Sequence, residues 1–129
     1  MMKKKEYCSL GIMSGTSLDG LDFSLLKTDG KENINPLINE YSKFNNEFKS
    51  SIKGLIKKFN TLDYKLAIES KEFVKFNKIF TEDIYCKIKD ILKKHSIDKS
   101  SLDVIGLHGN TLIHNPEKGL SLQLGLSYH

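Results

Sequence analysis

Short apolar runs, broken by Gly, Asp and Asn, fill the first part of the chain. Tyr7 to Met13 and Asp22 to Thr28 each have the length and composition of a β-strand, and Pro36 to Phe44 supplies a weaker third one. Runs of this kind between turn-forming residues are the usual strand signal. The pattern therefore predicts three antiparallel strands at the start of the fold, with the loop Gly15 to Gly20 joining the first two.

The spacing of apolar residues then changes to that of an α-helix. One helical face collects the apolar side chains at Phe48, Ile52, Leu55, Ile56 and Phe59. Residues three, four and seven apart lie on the same side of a helix, so this pattern predicts an amphipathic helix. Asn45 or Asn46 precedes it and is a favourable N-cap residue.

A second helical pattern follows from Leu62 and continues to Lys94 at spacings of three, four or seven. If it is unbroken, it forms one helix roughly 50 Å long, at about 1.5 Å per residue. Lys93, Lys94 and His95 stand at its end, where positive charge complements the helix dipole.

The last part of the chain returns to short apolar runs. Val104 to Leu107 predicts a buried strand that delivers His108 and Gly109 to its carboxyl end. Thr111 to His114 and Leu120 to Leu124 flank a turn containing Pro and Gly, and we interpret them as two more strands. Strands, then helices, then strands predict an α/β fold with a mixed sheet covered by helices and its working loops at one edge.

Composition and charge narrow the function classes. The 129 residues have the size of one domain, with 39% hydrophobic and 28% charged residues. The net charge of +4 arises from lysines spread along the predicted helices, and the chain contains no arginine. A nucleic-acid interface is expected to cluster its basic residues and to include Arg. We therefore interpret the lysines as solvated surface and expect no nucleic-acid partner.

Membrane and metal sites have little support in the sequence. No run approaches the roughly 18 apolar residues of a membrane span, and the basic start of the chain does not lead into a signal-peptide core. We expect no membrane partner and a cytoplasmic location. Cys8 and Cys86 are far apart and lack a zinc-site pattern, so we interpret both as buried thiols.

The segment Ser14 to Gly20 is the strongest candidate for chemistry. It combines two glycines, three hydroxyl groups and one carboxylate directly after a predicted strand. Glycines allow backbone N–H groups to approach a phosphate, and Asp19 could hold Mg²⁺ through water. It is neither a Walker A loop nor G-x-G-x-x-G. From spacing alone, an ordinary polar hairpin loop explains it equally well.

Three segments together resemble one enzyme family. Gly11 to Asp22 (GIMSGTSLDGLD) resembles the opening signature of the anhydro-N-acetylmuramic acid kinases, which have the actin, Hsp70 and hexokinase-like ATPase fold. Ile105 to Thr111 (IGLHGNT) is similar to the family's I-G-x-H-G-Q-T, and Ser121 to Gly125 (SLQLG) to its S-L-Q-I-G. The resemblance covers the chain in the right order. It implies part of an actin-like, ribonuclease H-like ATPase domain.

The resemblance also implies a reaction and a set of site residues. The family uses ATP and water to open the 1,6-anhydro ring of the sugar and to phosphorylate O6, in cell-wall sugar recycling. It implies a nucleotide site with Mg²⁺ at Asp19 and backbone or side-chain contacts from Gly15, Thr16, Ser17, Leu18, Asp19, Gly20, Leu21 and Asp22. It implies amino-sugar contacts from His108, Gly109, Asn110, Thr111 and Gln123. A metal role for His108 and His114 is not implied.

The sequence departs from the family pattern at two points, and these change what we expect of the sugar contacts and of the activity of the chain. Asn110 stands where the family has Gln, which shortens the side chain by one methylene. After Gly125 the family continues with Asp and a further domain that carries the general base, whereas this chain reads Leu126 to His129. We therefore expect residues 1–129 to be the N-terminal part of a sugar kinase, inactive alone and a homodimer only at full length. The alternative is a non-catalytic nucleotide-binding or pairing module.

Overall fold

The computed structural model describes residues 5–125. Three strands open the fold, β1 (Tyr7–Ser14), β2 (Gly20–Thr28) and β3 (Ile34–Lys43). β1 pairs antiparallel with β2, and β2 with β3, as the strand pattern predicted. Pro36 lies in β3 at a register shift, and an edge strand tolerates its missing N–H.

A fourth strand makes the sheet mixed. β4 (Val104–His108) lies parallel to β1, which gives the order β3-β2-β1-β4. Met13 is the register partner of His108, so the carboxyl ends of β1 and β4 meet at one edge of the sheet. β5 (Thr111–Asn115) and β6 (Leu120–Gln123) form a separate antiparallel pair. The predicted α/β class, a mixed sheet with covering helices, is confirmed.

Three helices connect β3 to β4, namely α1 (Asn46–Phe59), α2 (Tyr64–Ile68) and α3 (Lys71–Lys94). Asn45 caps α1 and accepts a hydrogen bond of 2.7 Å from the Phe48 N–H. The helical pattern from Leu62 to Lys94 is broken into α2 and α3, so the condition for one long helix is not met. Asp63 caps α2 and Ser70 caps α3 through their side chains, and such side-chain bonds to the backbone favour helix starts over helix interiors.

The helices cover one face of the sheet and enclose the core. The most deeply buried side chains come from β1, β2, the helices and the second sheet, and they include Leu10, Leu21, Phe23, Leu25, Ile52, Phe59, Phe73, Phe80, Leu112, Leu122 and Leu124. The rings of Phe44, Phe48 and Phe80 lie 5.0 to 6.3 Å apart between centroids, which joins the end of β3 to α1 and α3. Cys8 is buried as predicted, but Cys86 is exposed on α3.

Glu40 on β3 connects the sheet to the end of α3. Its carboxylate accepts a hydrogen bond of 2.6 Å from Lys94 Nζ and lies 2.7 Å from His95 Nε2. Lys93 and Lys94 do lie in the last turn of α3, as expected for charges near a helix C-terminus. Lys94 and His95 also bind the sheet, which the helical pattern could not show.

β4 differs from the prediction of a buried strand, because all five of its residues are exposed. Val104 is 51% and Ile105 50% exposed. The reason is its place at the edge of the sheet, where only β1 pairs with it among residues 5–125. Within the same residues, no helix is long and apolar enough to cross a membrane.

Candidate functional site

The β1–β2 loop, residues 15–19, turns tightly at the edge where β1 and β4 end. The Leu18 N–H donates to the Gly15 carbonyl at 3.3 Å. Leu18 has a φ of 57°, while Gly15 is not among the glycines with positive φ. A non-glycine residue in the left-handed region is uncommon and tends to occur at functional sites. The strained residue of the loop is therefore Leu18, whose side chain is only 6% exposed and anchors the loop in the core.

The two glycines of the loop have different roles. A Cβ added at Gly20 would lie 2.3 Å from the Ser42 carbonyl oxygen, so this glycine is required for the close approach of β2 and β3. A Cβ at Gly15 would meet nothing nearer than Ser17 Oγ at 3.6 Å. Of these two glycines, Gly15 therefore leaves more room for a ligand to approach the backbone.

Asp19 is held by Lys49 and Phe44, which lie outside β1, β2 and the loop that joins them. Its carboxylate forms an ion pair with Lys49 Nζ, and its backbone carbonyl accepts a hydrogen bond of 2.8 Å from the Phe44 N–H. Hydrogen bonds from Lys49 and Ser17 lower the pKa of Asp19 below its usual range. Asp19 is therefore ionised at neutral pH. Lys49 lies thirty residues away on α1, and no motif in the sequence indicated it.

The rest of the predicted nucleotide segment faces two directions. Leu21 is fully buried and packs in the core, so its side chain is not available to a ligand. Asp22, one residue later, is exposed on the face of the sheet that the helices leave open. The alternation of a strand separates these two side chains, whereas Gly15, Thr16 and Leu18 stay together beside β4.

The second predicted motif follows β4 directly. A Cβ at Gly109 would lie 1.8 Å from the Leu124 carbonyl oxygen, so only glycine allows β6 to approach at this point. The Gln123 side-chain amide donates to Thr111 Oγ1 at 3.2 Å. Asn110 is 2% exposed, and its side-chain amide donates to Ser14 Oγ at the end of β1.

A cleft of about 340 Å³ brings the two predicted motifs together. Its walls are the start of the β1–β2 loop, the segment after β4, β5 and the end of α1, with the lining residues Ser14, Gly15, Thr16, Leu18, Ile56, Asn60, His108, Asn110, Thr111, Leu112 and His114. Ser17, Asp19 and Gly109 are sequence neighbours of lining residues, and Gln123 is hydrogen-bonded to the lining residue Thr111. Asn60 is the C-cap residue of α1, and its place in the cleft depends on packing between α1 and β5.

A larger concavity, of about 760 Å³, lies on the open face of the sheet. It is lined mainly by strand residues such as Met13, Tyr41 and Leu107, and Asp22 and His108 are also among its lining residues. The smaller cleft is the better candidate site, because Ser14, Gly15 and Thr16 line it together with the segment after β4.

The carboxylate closest in sequence to the cleft is Asp19, which follows the lining residue Leu18 and is paired with Lys49. Among residues 5–125 there is no group of three or more His, Cys, Asp or Glu side chains that could hold a metal. Mg²⁺ commonly binds proteins through one or two carboxylates together with substrate phosphates and water. A single ionised carboxylate at the end of the loop fits that mode of binding.

The family model described as anhydro-N-acetylmuramic acid kinase matches residues 7–128. The chain belongs to the anhydro-N-acetylmuramic acid kinase family. The resemblance of the three sequence segments is thereby confirmed, as is the mixed α/β fold of these ATPase-like sugar kinases.

Individual members of the anhydro-N-acetylmuramic acid kinase family are similar over most of this chain. The protein of that name from Pelagibacter ubique is 34% identical over 123 residues, which is 95% of this chain and 32% of the relative. The one from Zymomonas mobilis is 31% identical over 118 residues, 91% of this chain and 32% of the relative. The chain therefore spans about a third of the length of the curated relatives it matches.

Proposed function

We propose that this chain provides the phosphate-binding loop and one wall of the sugar site of an ATP-dependent kinase. The reaction converts 1,6-anhydro-N-acetylmuramic acid, ATP and water to N-acetylmuramic acid 6-phosphate and ADP. The cleft that joins the β1–β2 loop to the segment after β4 is the observation that carries this proposal. Phosphoryl transfer requires positioning and charge neutralisation next to the sugar hydroxyl, and these two segments are in contact across the cleft.

The nucleotide side of the proposed site is the β1–β2 loop. Gly15, Thr16, Ser17 and Leu18 supply backbone and hydroxyl donors to the phosphates, and Asp19 holds Mg²⁺ through water. Gly20 and Leu21 support the loop from the sheet and the core. Asp22 contributes from the open face of the sheet, in the concavity that His108 also lines.

The sugar side of the proposed site is the segment after β4. His108 and Thr111 present a ring and a hydroxyl group at the cleft. Gly109 allows β6 to come close, Gln123 holds Thr111, and Asn110 joins the segment to Ser14. Asn60 and His114 add polar groups on the opposite wall, so we include them among the candidate sugar contacts.

The proposed enzyme is completed by the part of the relatives that this chain does not match. The relatives are about three times as long as the part this chain matches, and we place the water-activating base and the second wall of the nucleotide site in that remainder. The chain by itself is then inactive. We further propose that the complete kinase works in the cytoplasm on amino sugar released from the cell wall, and that it is a homodimer.

Calorimetric titration with Mg-ATP tests this proposal on the 129-residue chain. Gly15→Val is expected to abolish binding, because its side chain fills the open space beside the loop. Gly54→Val is the matched control, since Gly54 lies in α1 with nothing within 4 Å of its Cβ position. Equal affinities of the two variants would place the nucleotide elsewhere. Binding of Mg-ATP that never supports catalysis, even when the rest of a relative is fused to the chain, would favour the nucleotide-binding module instead.

A further inference from the structure

Three buried polar side chains in residues 5–125 belong to one connected set of hydrogen bonds. Ser14 is 4%, Asn77 6% and Asn110 2% exposed. Asn110 Nδ2 donates to Ser14 Oγ. The backbone carbonyl of Asn110 accepts from the Leu124 N–H at 2.8 Å, and the next N–H, of Gly125, donates to Asn77 Oδ1 at 2.7 Å. The set runs from α3, past the end of β6, to Ser14, the last residue of β1.

The bond from Asn110 fixes the direction in which the Ser14 hydroxyl can act. A serine hydroxyl has one donor and two acceptor positions, and a side-chain –NH₂ group can only donate. Because Ser14 Oγ accepts from Asn110, its own proton is available for a different acceptor. Ser14 lines the cleft beside Gly15. An acceptor in the cleft is therefore the natural partner of that proton.

We propose that Asn110 is a positioning residue, which holds the Ser14 hydroxyl as a hydrogen-bond donor to a phosphate oxygen of the nucleotide. This inference rests on the proposed function. Asn110 then acts by orienting Ser14 and does not contact the sugar directly. The side chain of Asn110 is enclosed and its amide is used inside the protein. Within the segment Ile105 to Thr111, the direct sugar contacts then belong to His108 and Thr111 at the cleft.

The test is a double-mutant cycle on Mg-ATP affinity in the full 129-residue chain. Asn110→Asp keeps the shape of the side chain but replaces its donor by acceptors, so the Ser14 proton turns toward residue 110. We expect roughly tenfold weaker Mg-ATP binding, the usual cost of one hydrogen bond to a charged group. In the Ser14→Ala background the same change is expected to cost nothing further. Asn35→Asp, on exposed β3, adds the same charge far from the cleft.

A second cycle places no charge in the core. Asn110→Ala and Ser14→Ala are each expected to weaken binding about fivefold, and the double variant no more than either. Asn110→Gln, which keeps the amide donor, is expected to retain more affinity than Asn110→Ala. Additive losses in both cycles would overturn the inference while leaving the proposed function standing.

Amide hydrogen exchange gives a readout without nucleotide. The Leu18 N–H, bonded to Gly15, should exchange about fivefold faster in Asn110→Ala, while amides of α1 keep their wild-type rates.

If the wild-type chain does not bind Mg-ATP, the proposed function fails, together with the phosphate partner assigned to Ser14. The positioning contact is then judged from urea unfolding of the same variants, where coupling between Ser14 and Asn110 supports it and additivity overturns it.

Discussion

Lys49, in the first turn of α1, forms an ion pair with Asp19 at the end of the β1–β2 loop. The pair joins two segments that are thirty residues apart and holds the loop against the helix that follows β3. Its side chains are 29% and 49% exposed, so water screens the attraction and a ligand can reach both charges. The loop thus has a negative and a positive group beside each other at the point proposed for phosphate and Mg²⁺.

The lowered pKa of Asp19 predicts a pH-dependent contribution to stability. A carboxylate whose pKa is lower in the folded state stabilises the fold above its unfolded pKa, near pH 4, and this stabilisation disappears as the pH falls through the folded pKa. Asp19→Asn should therefore be less stable than wild type at pH 6 and equally stable in strong acid. Urea unfolding across this range measures the difference, with exposed Asp22→Asn as the control. A constant difference at all pH values would contradict the ion pair.

Removing the positive charge of Lys49, the partner of Asp19, should weaken nucleotide binding. Lys49→Gln is expected to weaken Mg-ATP binding about tenfold, because the phosphates lose a nearby cation and Asp19 loses the group that orients it. Lys53→Gln, one turn further along α1, removes the same charge farther from Asp19. Calorimetry on both variants distinguishes a local effect from one of net charge. Equal losses would show that only the overall charge of the chain matters.

The positions of the strands, including the points where β1 and β4 end, followed from the sequence more closely than the bounds of the helices. Strand alternation and turn residues are local properties, so β1, β2 and β3 agreed with the pattern to within a few residues. The pattern left open whether the helix breaks at Ser70, because the apolar residues around it keep the helical spacing, while a side-chain cap decides where α3 begins. The exposure of β4 was missed because burial depends on what lies beside a strand.

The candidate site was predictable only where residues are contiguous. The loop from Gly15 and the segment from His108 were visible as motifs, and parallel pairing of β1 with β4 brings them together. Lys49 and Asn60 belong to no motif that the sequence shows, because their positions follow from how α1 packs against the loop and β5. The strained residue was also missed, since nothing in the sequence distinguishes Leu18 as the one with positive φ.

Gly109 and Gly106 offer a matched pair of substitutions at the second motif. Gly109→Ala should destabilise the fold by about 1–3 kcal/mol or more, because its Cβ would overlap the Leu124 carbonyl oxygen. Gly106→Ala, within β4, has nothing within 4 Å of the added methyl group and should be nearly neutral. Urea denaturation of both variants provides the comparison. Equal stabilities would show that β6 can move away from residue 109 at little cost.

Glu40 should contribute to stability in a similar pH-dependent way. Hydrogen bonds from Lys94 and His95 lower its pKa, so its stabilising effect is present above the unfolded pKa of a glutamate and is lost in acid. Glu40→Gln is expected to lower the melting temperature at pH 7 but not at pH 3. Glu32→Gln, in the exposed turn before β3, is the control. A decrease of the same size at both pH values would indicate a role for Glu40 that does not depend on its charge.

The purified 129-residue chain should show no sugar kinase turnover with ATP, Mg²⁺ and the anhydro sugar. The described cleft has the proposed phosphate donors on one side only, and a kinase of this family is about three times as long. Absence of general-base assistance alone lowers a rate by about 10²–10⁴, and incomplete exclusion of water and poor positioning lower it further.

Mass spectrometry of the phosphorylated sugar, at high protein concentration, is the appropriate assay for that prediction. The full-length Pelagibacter ubique relative serves as the positive control, and Gly15→Val shows whether any trace signal is a contaminant, because a contaminating kinase is unaffected by a change in this chain. Turnover that disappears with Gly15→Val would mean that the chain catalyses the reaction unaided. The base would then have to be sought among the titratable groups near the loop, Asp19, Asp22 and His108, of which Asp19 is already paired with Lys49.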